Sequence, residues 1–239
     1  MTHRIVGPRR WGLRFLILAV PLVAVAVGGS LGSSASAQDA TPTATPGVLA
    51  SPAANLDCST VSPTKDYAVD SAGSAVRYKA EEELAGKGAN EAVGETNAVI
   101  GDLYFDESGT PLACSRIDAD LRTLKSDESR RDNFLYNNTL QTQQYPLATF
   151  ILTSVDGLNQ PLGSDETTFT LIGDLTVHGV TKSVSWTVTA KLDGDTITGS
   201  ASTAFNMADF DIQPPKVGPV ISLNETVKLE VDITAKPAA

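Results

Sequence analysis

Residues 171–186 read LIGDLTVHGVTKSVSW, and their alternation decides the fold. With the residues just before them, Phe169, Leu171, Gly173, Leu175 and Val177 fall on one side of an extended chain. Thr168, Thr170, Asp174 and Thr176 fall mostly on the other. After Gly179-Val180-Thr181-Lys182 the alternation resumes, with Val184, Trp186, Val188 and Ala190 set against Ser185, Thr187 and Thr189. A period of two on both arms predicts two antiparallel strands with one buried and one solvated face. Gly179 supplies the backbone freedom that the tight connection needs.

The same signal recurs on either side. Val99, Gly101, Leu103 and Phe105 alternate with Asp102, Tyr104 and Asp106. Ile197, Gly199, Ala201, Thr203 and Phe205 form a second series, and Val227, Leu229, Val231 and Ile233 a third against Lys228, Glu230 and Asp232. Turn clusters such as Asp106-Glu107-Ser108-Gly109 and Asp193-Gly194-Asp195 separate them. Many short alternating strands predict an all-β sandwich or barrel. A parallel α/β sheet would instead show continuously apolar strands. One stretch breaks the pattern. SDESRRDNFLYNNTL, residues 126–140, has Ser126 or Asp127 as a cap and an acidic first turn. It predicts one or two helical turns across a barrel end.

The first 37 residues are not part of that domain. Arg4, Arg9, Arg10 and Arg14 precede an apolar run from Phe15 to Val27 and small residues ending Ala35-Ser36-Ala37. A basic region, an apolar core and an A-x-A site predict a secretory signal peptide over 1–37. The run, which contains Pro21, is too short for a membrane span. Arg9-Arg10 leaves the export route open between the general and twin-arginine pathways. Cleavage would remove four Arg and no acid, moving the formal charge from −10 to −14. Such a surface has no basic stripe for phosphates and excludes nucleic-acid binding. Residues 38–65, rich in Ala, Thr and Pro, predict a disordered linker, and 66–236 one domain. The two cysteines, Cys58 and Cys114, both fall in the exported part, where an even pair favours a disulfide.

Four separated segments resemble the YceI-like family of exported lipid-binding barrels. They are Tyr67-Ala68-Val69-Asp70 with Ser74-Ala75-Val76, then Ile117 to Leu124. Arg131-Asp132-Asn133-Phe134-Leu135 with Tyr145-Pro146 and Thr149-Phe150 is the third, and GDLTVHGVTKSVSW the fourth and strongest. The resemblance implies an eight-stranded, lipocalin-like antiparallel barrel with one short helix near its end. It further implies an apolar tunnel for a polyisoprenoid or other long-chain amphiphilic lipid. Many family members carry His where Phe134 stands, and Asn-Arg where this chain has Asn206-Met207.

On this reading Phe134, Leu135, Phe150, Leu175, Trp186 and Phe210 are the candidate ligand-binding residues, and Gly101, Gly173, Gly199 and Ala201 leave room inside. His178, the one histidine outside the signal peptide, cannot complete a multi-histidine metal site. It reads as a locally hydrogen-bonded turn residue. Asp70, Asp209 and Asp211 read as solvated strand ends, without a glycosidase framework. No catalytic set, metal or cofactor is expected. The function that follows is an exported binding protein (periplasmic, extracellular or cell-surface) that carries or stores such a lipid. A hydrolase or other enzyme using the same cavity, and a surface or stress protein with a packed barrel, are the alternatives. A homodimer is left open.

Overall fold

The computed structural model describes residues 56–215 and 218–238. The expected signal peptide, 1–37, and most of the expected linker lie outside the described residues.

Eleven strands follow in chain order: β1 (Lys65–Val69), β2 (Ala75–Leu84), β3 (Gly88–Thr96), β4 (Val99–Phe105), β5 (Arg116–Asp120), β6 (Lys125–Ser126), β7 (Leu147–Asp156), β8 (Thr167–Val177), β9 (Val180–Asp193), β10 (Thr196–Asn206) and β11 (Val220–Pro237). Eight of them close an antiparallel ring in the order β1-β4-β5-β7-β8-β9-β10-β11, with β11 returning to β1 through Tyr67↔Pro237 and Val69↔Ala235. β11 is long enough to do more. Its earlier residues pair with β2, β2 pairs with β3, and β3 with the short β6. Two three-residue 3-10 turns, Ser71–Gly73 and Leu121–Thr123, separate β1 from β2 and β5 from β6. Each break sends one long strand from the closed ring into a second, open wall.

Burial follows the alternation seen in the sequence. On β9, Val184, Trp186, Val188 and Ala190 are buried inward. On β8, Phe169, Gly173, Leu175 and Val177 are buried. The hairpin between them is tighter than its four-residue appearance. Val177 pairs directly with Val180, leaving a two-residue loop of His178 (φ 51) and Gly179 (φ 76). Two positive φ values make a turn whose twist matches the strands. The histidine's partner is not local: Nδ1 lies 3.3 Å from the carbonyl of Phe210, and its ring stands edge-on to Tyr145.

Three local expectations are corrected. The helix α1 is Ser129–Phe134 and is capped by Glu128, not by Ser126 or Asp127. Ser126 lies on β6, and its hydroxyl donates to Asp132. A π-helical turn, Leu135–Thr139, continues α1, and the Tyr136 hydroxyl donates to the Leu124 carbonyl. Of the small residues expected to leave room, Gly199 and Ala201 do line an inner cavity, but Gly173 does not leave space. A Cβ on Gly173 would collide with the Phe150 ring and the Ile151 carbonyl, so that gap is already filled by an aromatic side chain. Finally, residues 56–65 of the expected linker are tied down. Cys58 and Cys114 form a disulfide, and Asp57 caps a 3-10 turn over Cys58–Thr60. Cys114 sits in the turn before β5 rather than on a strand.

Candidate functional site

Two separate spaces stand out among the described residues. The larger, about 630 Å³, lies in the half walled by β2, β3, the earlier part of β11, and α1 with its π turn. The smaller, about 130 Å³, lies inside the closed ring and is lined by Leu103, Phe150, Phe169, Trp186, Ala201 and Ile233 among others. The strands show how the two are divided. Along β8, Val177 lines the chamber and Leu171 the inner cavity, with Leu175 between them; along β10, Thr203 stands between Phe205 and Ala201.

The expected ligand-binding residues therefore distribute over three environments. Phe134 and Leu135, carried by α1 and the start of the π turn, line the chamber. Phe150 and Trp186 line the inner cavity and meet edge to face with centroids 5.9 Å apart. Leu175 and Phe210 belong to the packed core and line neither space. Phe210 is fully buried and packs on Phe205 at 4.5 Å.

Much of the chamber wall comes from residues outside the expected ligand-binding set. Val76, Tyr78, Ala80, Glu82 and Leu84 all line it from β2. Their spacing of two, against the charged Arg77, Lys79, Glu81 and Glu83, is the signal that could have exposed them. The Tyr78 ring is accommodated because Gly94 stands opposite on β3, where any Cβ would overlap it. Ala92 faces Ala80 across the same pair, which keeps the wall low and the space open.

The chamber is apolar with one polar corner. Glu82 is an inward-facing carboxylate whose side chain is only 5 % exposed. It accepts hydrogen bonds from Arg131 Nη2 at 3.0 Å and Asn90 Nδ2 at 2.8 Å. Burying this charge is tolerable because it is paired and hydrogen-bonded. The other guanidinium terminus of Arg131 donates to Asp127 at 2.5 Å and to the Ser126 hydroxyl at 3.2 Å. Burial is the main cause that pushes the Tyr78 phenol up to about 12; Arg131 opposes that shift and Asp132 adds to it. The hydroxyls of Tyr78 and Thr139 are buried without a hydrogen-bond partner, and both residues line the chamber.

His178 and Asp209 line neither space. Among the described residues no group of three or more His, Cys, Asp or Glu side chains could hold a metal ion, and no helix is long and apolar enough to cross a membrane.

An eight-stranded antiparallel ring with one short helix near its end is the arrangement the four sequence segments imply. The family model of the YceI-like domain matches residues 67–235. The chain belongs to the YceI-like family. Similar proteins include a UPF0312 protein of Pseudomonas putida (strain GB-1), 32% identical over 142 residues, covering 56% of this chain and 67% of the relative. A UPF0312 protein of Vibrio vulnificus (strain YJ016) is 25% identical over 179 residues, covering 70% and 85%. Among solved structures, Burkholderia cenocepacia BcnA superposes with a TM-score of 0.56 at 17% identity, covering 70% of this chain and 99% of that one. A polyisoprenoid binding domain from Saccharophagus degradans, implicated in plant cell wall breakdown, gives 0.56 at 13% identity, covering 72% and 98%. Identities this low establish the YceI-like barrel and nothing finer.

Proposed function

We propose that this chain is an exported protein that holds an isoprenoid or similar long-chain amphiphilic lipid in its barrel, for carriage or storage. The carrying observation is the chamber of about 630 Å³, walled largely by apolar side chains and bordered by α1. It falls within the usual range of small-molecule sites. Membership of the YceI-like family supports the reading, as does the polyisoprenoid-binding activity in the name of the Saccharophagus degradans structure. The disulfide supports export, since such bonds persist in oxidising compartments. The barrel works here by burial alone. Each methylene taken from water contributes about 0.8 kcal/mol, so a long chain needs few polar contacts. The position of His178 and Asp209 outside both spaces supports binding without chemistry, and the open chamber disfavours a fully packed barrel.

The test is native purification from its own host or an export-competent one, followed by solvent extraction and mass spectrometry. A prenyl-type lipid in near-stoichiometric amount is the expected result. Protein that is always empty, and that binds no isoprenoid added in titration, would refute the proposal.

A further inference from the structure

The inner cavity, unlike the chamber, is bordered by no charged side chain. Its room comes from small residues that meet at one level of the ring. Gly199 pairs with Ala190, and Ala201 with Val188, across β10 and β9, and all four line the space. Wall atoms beside a void lose van der Waals partners, so a cavity costs stability that an occupant restores. The buried Leu175 and Thr203 stand between this space and the chamber, and no residue lines both.

The polar capacity of the cavity comes down to one group. The Ser115 hydroxyl is already engaged, accepting from the Tyr104 N–H at 2.9 Å and donating to the Leu112 carbonyl at 2.8 Å. Ser200 is exposed, on the outer parity of β10. Trp186 is 5 % exposed, and its indole N–H is buried without a hydrogen-bond partner. Among the described residues, it is the one such side-chain atom that belongs to this cavity's lining. A water settles in a cavity with about two to four polar partners, which a single donor does not supply. A small organic molecule with one acceptor fits better, its body on the apolar wall and its oxygen on the N–H. At about 130 Å³ the space approaches the roughly 150 Å³ that holds a benzene in an engineered apolar cavity.

We infer that the inner cavity is a second binding site, which takes a compact uncharged molecule of about five or six heavy atoms with one hydrogen-bond acceptor, such as a small cyclic ketone, held on the Trp186 indole N–H. Trp186 donates to the ketone oxygen, and the residues around Gly199 and Ala201 receive the ring. The site is independent of the chamber and does not rest on the lipid-binding reading.

The experiment follows the indole N–H signals of nitrogen-labelled exported protein by NMR, with cyclopentanone and methylcyclopentane as probes. Trp186→Phe identifies the Trp186 signal by its loss. Cyclopentanone should move that signal downfield in a saturable way, and methylcyclopentane should not. In calorimetry, Trp186→Phe should weaken the ketone about fivefold relative to the hydrocarbon, the size of one ordinary hydrogen bond. Ala201→Leu, whose longer side chain takes up about half of the room, should abolish binding of both. Because that variant could fold poorly, wild-type crystals pressurised with xenon locate the site directly, with xenon expected beside Trp186. A cavity that takes up neither xenon nor ketone overturns the inference, as does a bound ketone that leaves the indole signal in place. Added C20 isoprenoid alcohol should not displace the ketone. Displacement would make the cavity the far end of the lipid chamber and overturn the second site while leaving the lipid reading intact. If the alcohol does not bind at all but the ketone does, the lipid reading fails and the second site stands.

Discussion

Chain length offers the sharpest test of whether the chamber is the container. At about 30 Å³ per heavy atom, the share of one water in the liquid, a chamber of 630 Å³ accommodates about twenty heavy atoms, or four isoprene units. Burial of five more carbons contributes up to about 4 kcal/mol at 0.8 kcal/mol per methylene, and ordering the added bonds takes part of it back. A net gain near 0.3 kcal/mol per atom gives about 1.5 kcal/mol, or tenfold in Kd, per unit. Affinity for isoprenoid alcohols should therefore climb about tenfold from C10 to C15 and again to C20, then level off. Ala92→Phe sharpens the test, because Ala92 is 3 % exposed and lines the chamber opposite Ala80. Its ring would occupy the room of about six ligand atoms, so the plateau should arrive about one unit earlier. Isothermal titration calorimetry across the series reads both effects, and the heat capacity of binding should become more negative with each unit until the plateau. Affinity that is independent of chain length, or a plateau that Ala92→Phe does not move, would refute the assignment of the chamber as the site.

Three further outcomes follow from the same geometry. Replacing both Cys58 and Cys114 by Ala opens a loop with a sequence separation of 56, and should lower stability by about 4 kcal/mol in urea unfolding if chain entropy governs the bond. Arg131→Ala strands the buried Glu82 carboxylate with Asn90 alone and should cost about 3 kcal/mol, whereas converting Glu82 and Arg131 together to Leu should cost far less; equal losses in the two variants would show that the pair is not coupled. Tyr78 has a phenol held near 12 when folded against about 10 when unfolded. Its contribution to stability is thus complete below pH 10 and lost as pH rises from 10 to 12, roughly 2–3 kcal/mol in all. Tyr78→Phe should remove that alkaline loss, measured by urea midpoints at pH 9 and pH 11.5.

Much of this molecule was legible in one dimension. The period of two in residues 168–190 fixed two strands and their inward faces, because a side chain's face in a strand depends only on the parity of its position. The segments that resemble YceI-like proteins supplied the closed ring, which alternation alone leaves open between sandwich and barrel. Other features needed the folded chain. Phe134 and Phe150 look equivalent as apolar residues beside a helix or strand, yet one lines the chamber and the other the inner cavity. Gly173 reads as a vacancy until the Phe150 ring is found in it. Glu82 reads as one of three consecutive acids, Glu81-Glu82-Glu83, and only register places it inward against Asn90 while α1 brings Arg131 across 49 positions of sequence. Strand character and facing are local properties of the chain. Where the barrel stays hollow, and which polar atoms its hollow leaves unpaired, depends on side chains from distant strands competing for one volume, which no single stretch of sequence contains.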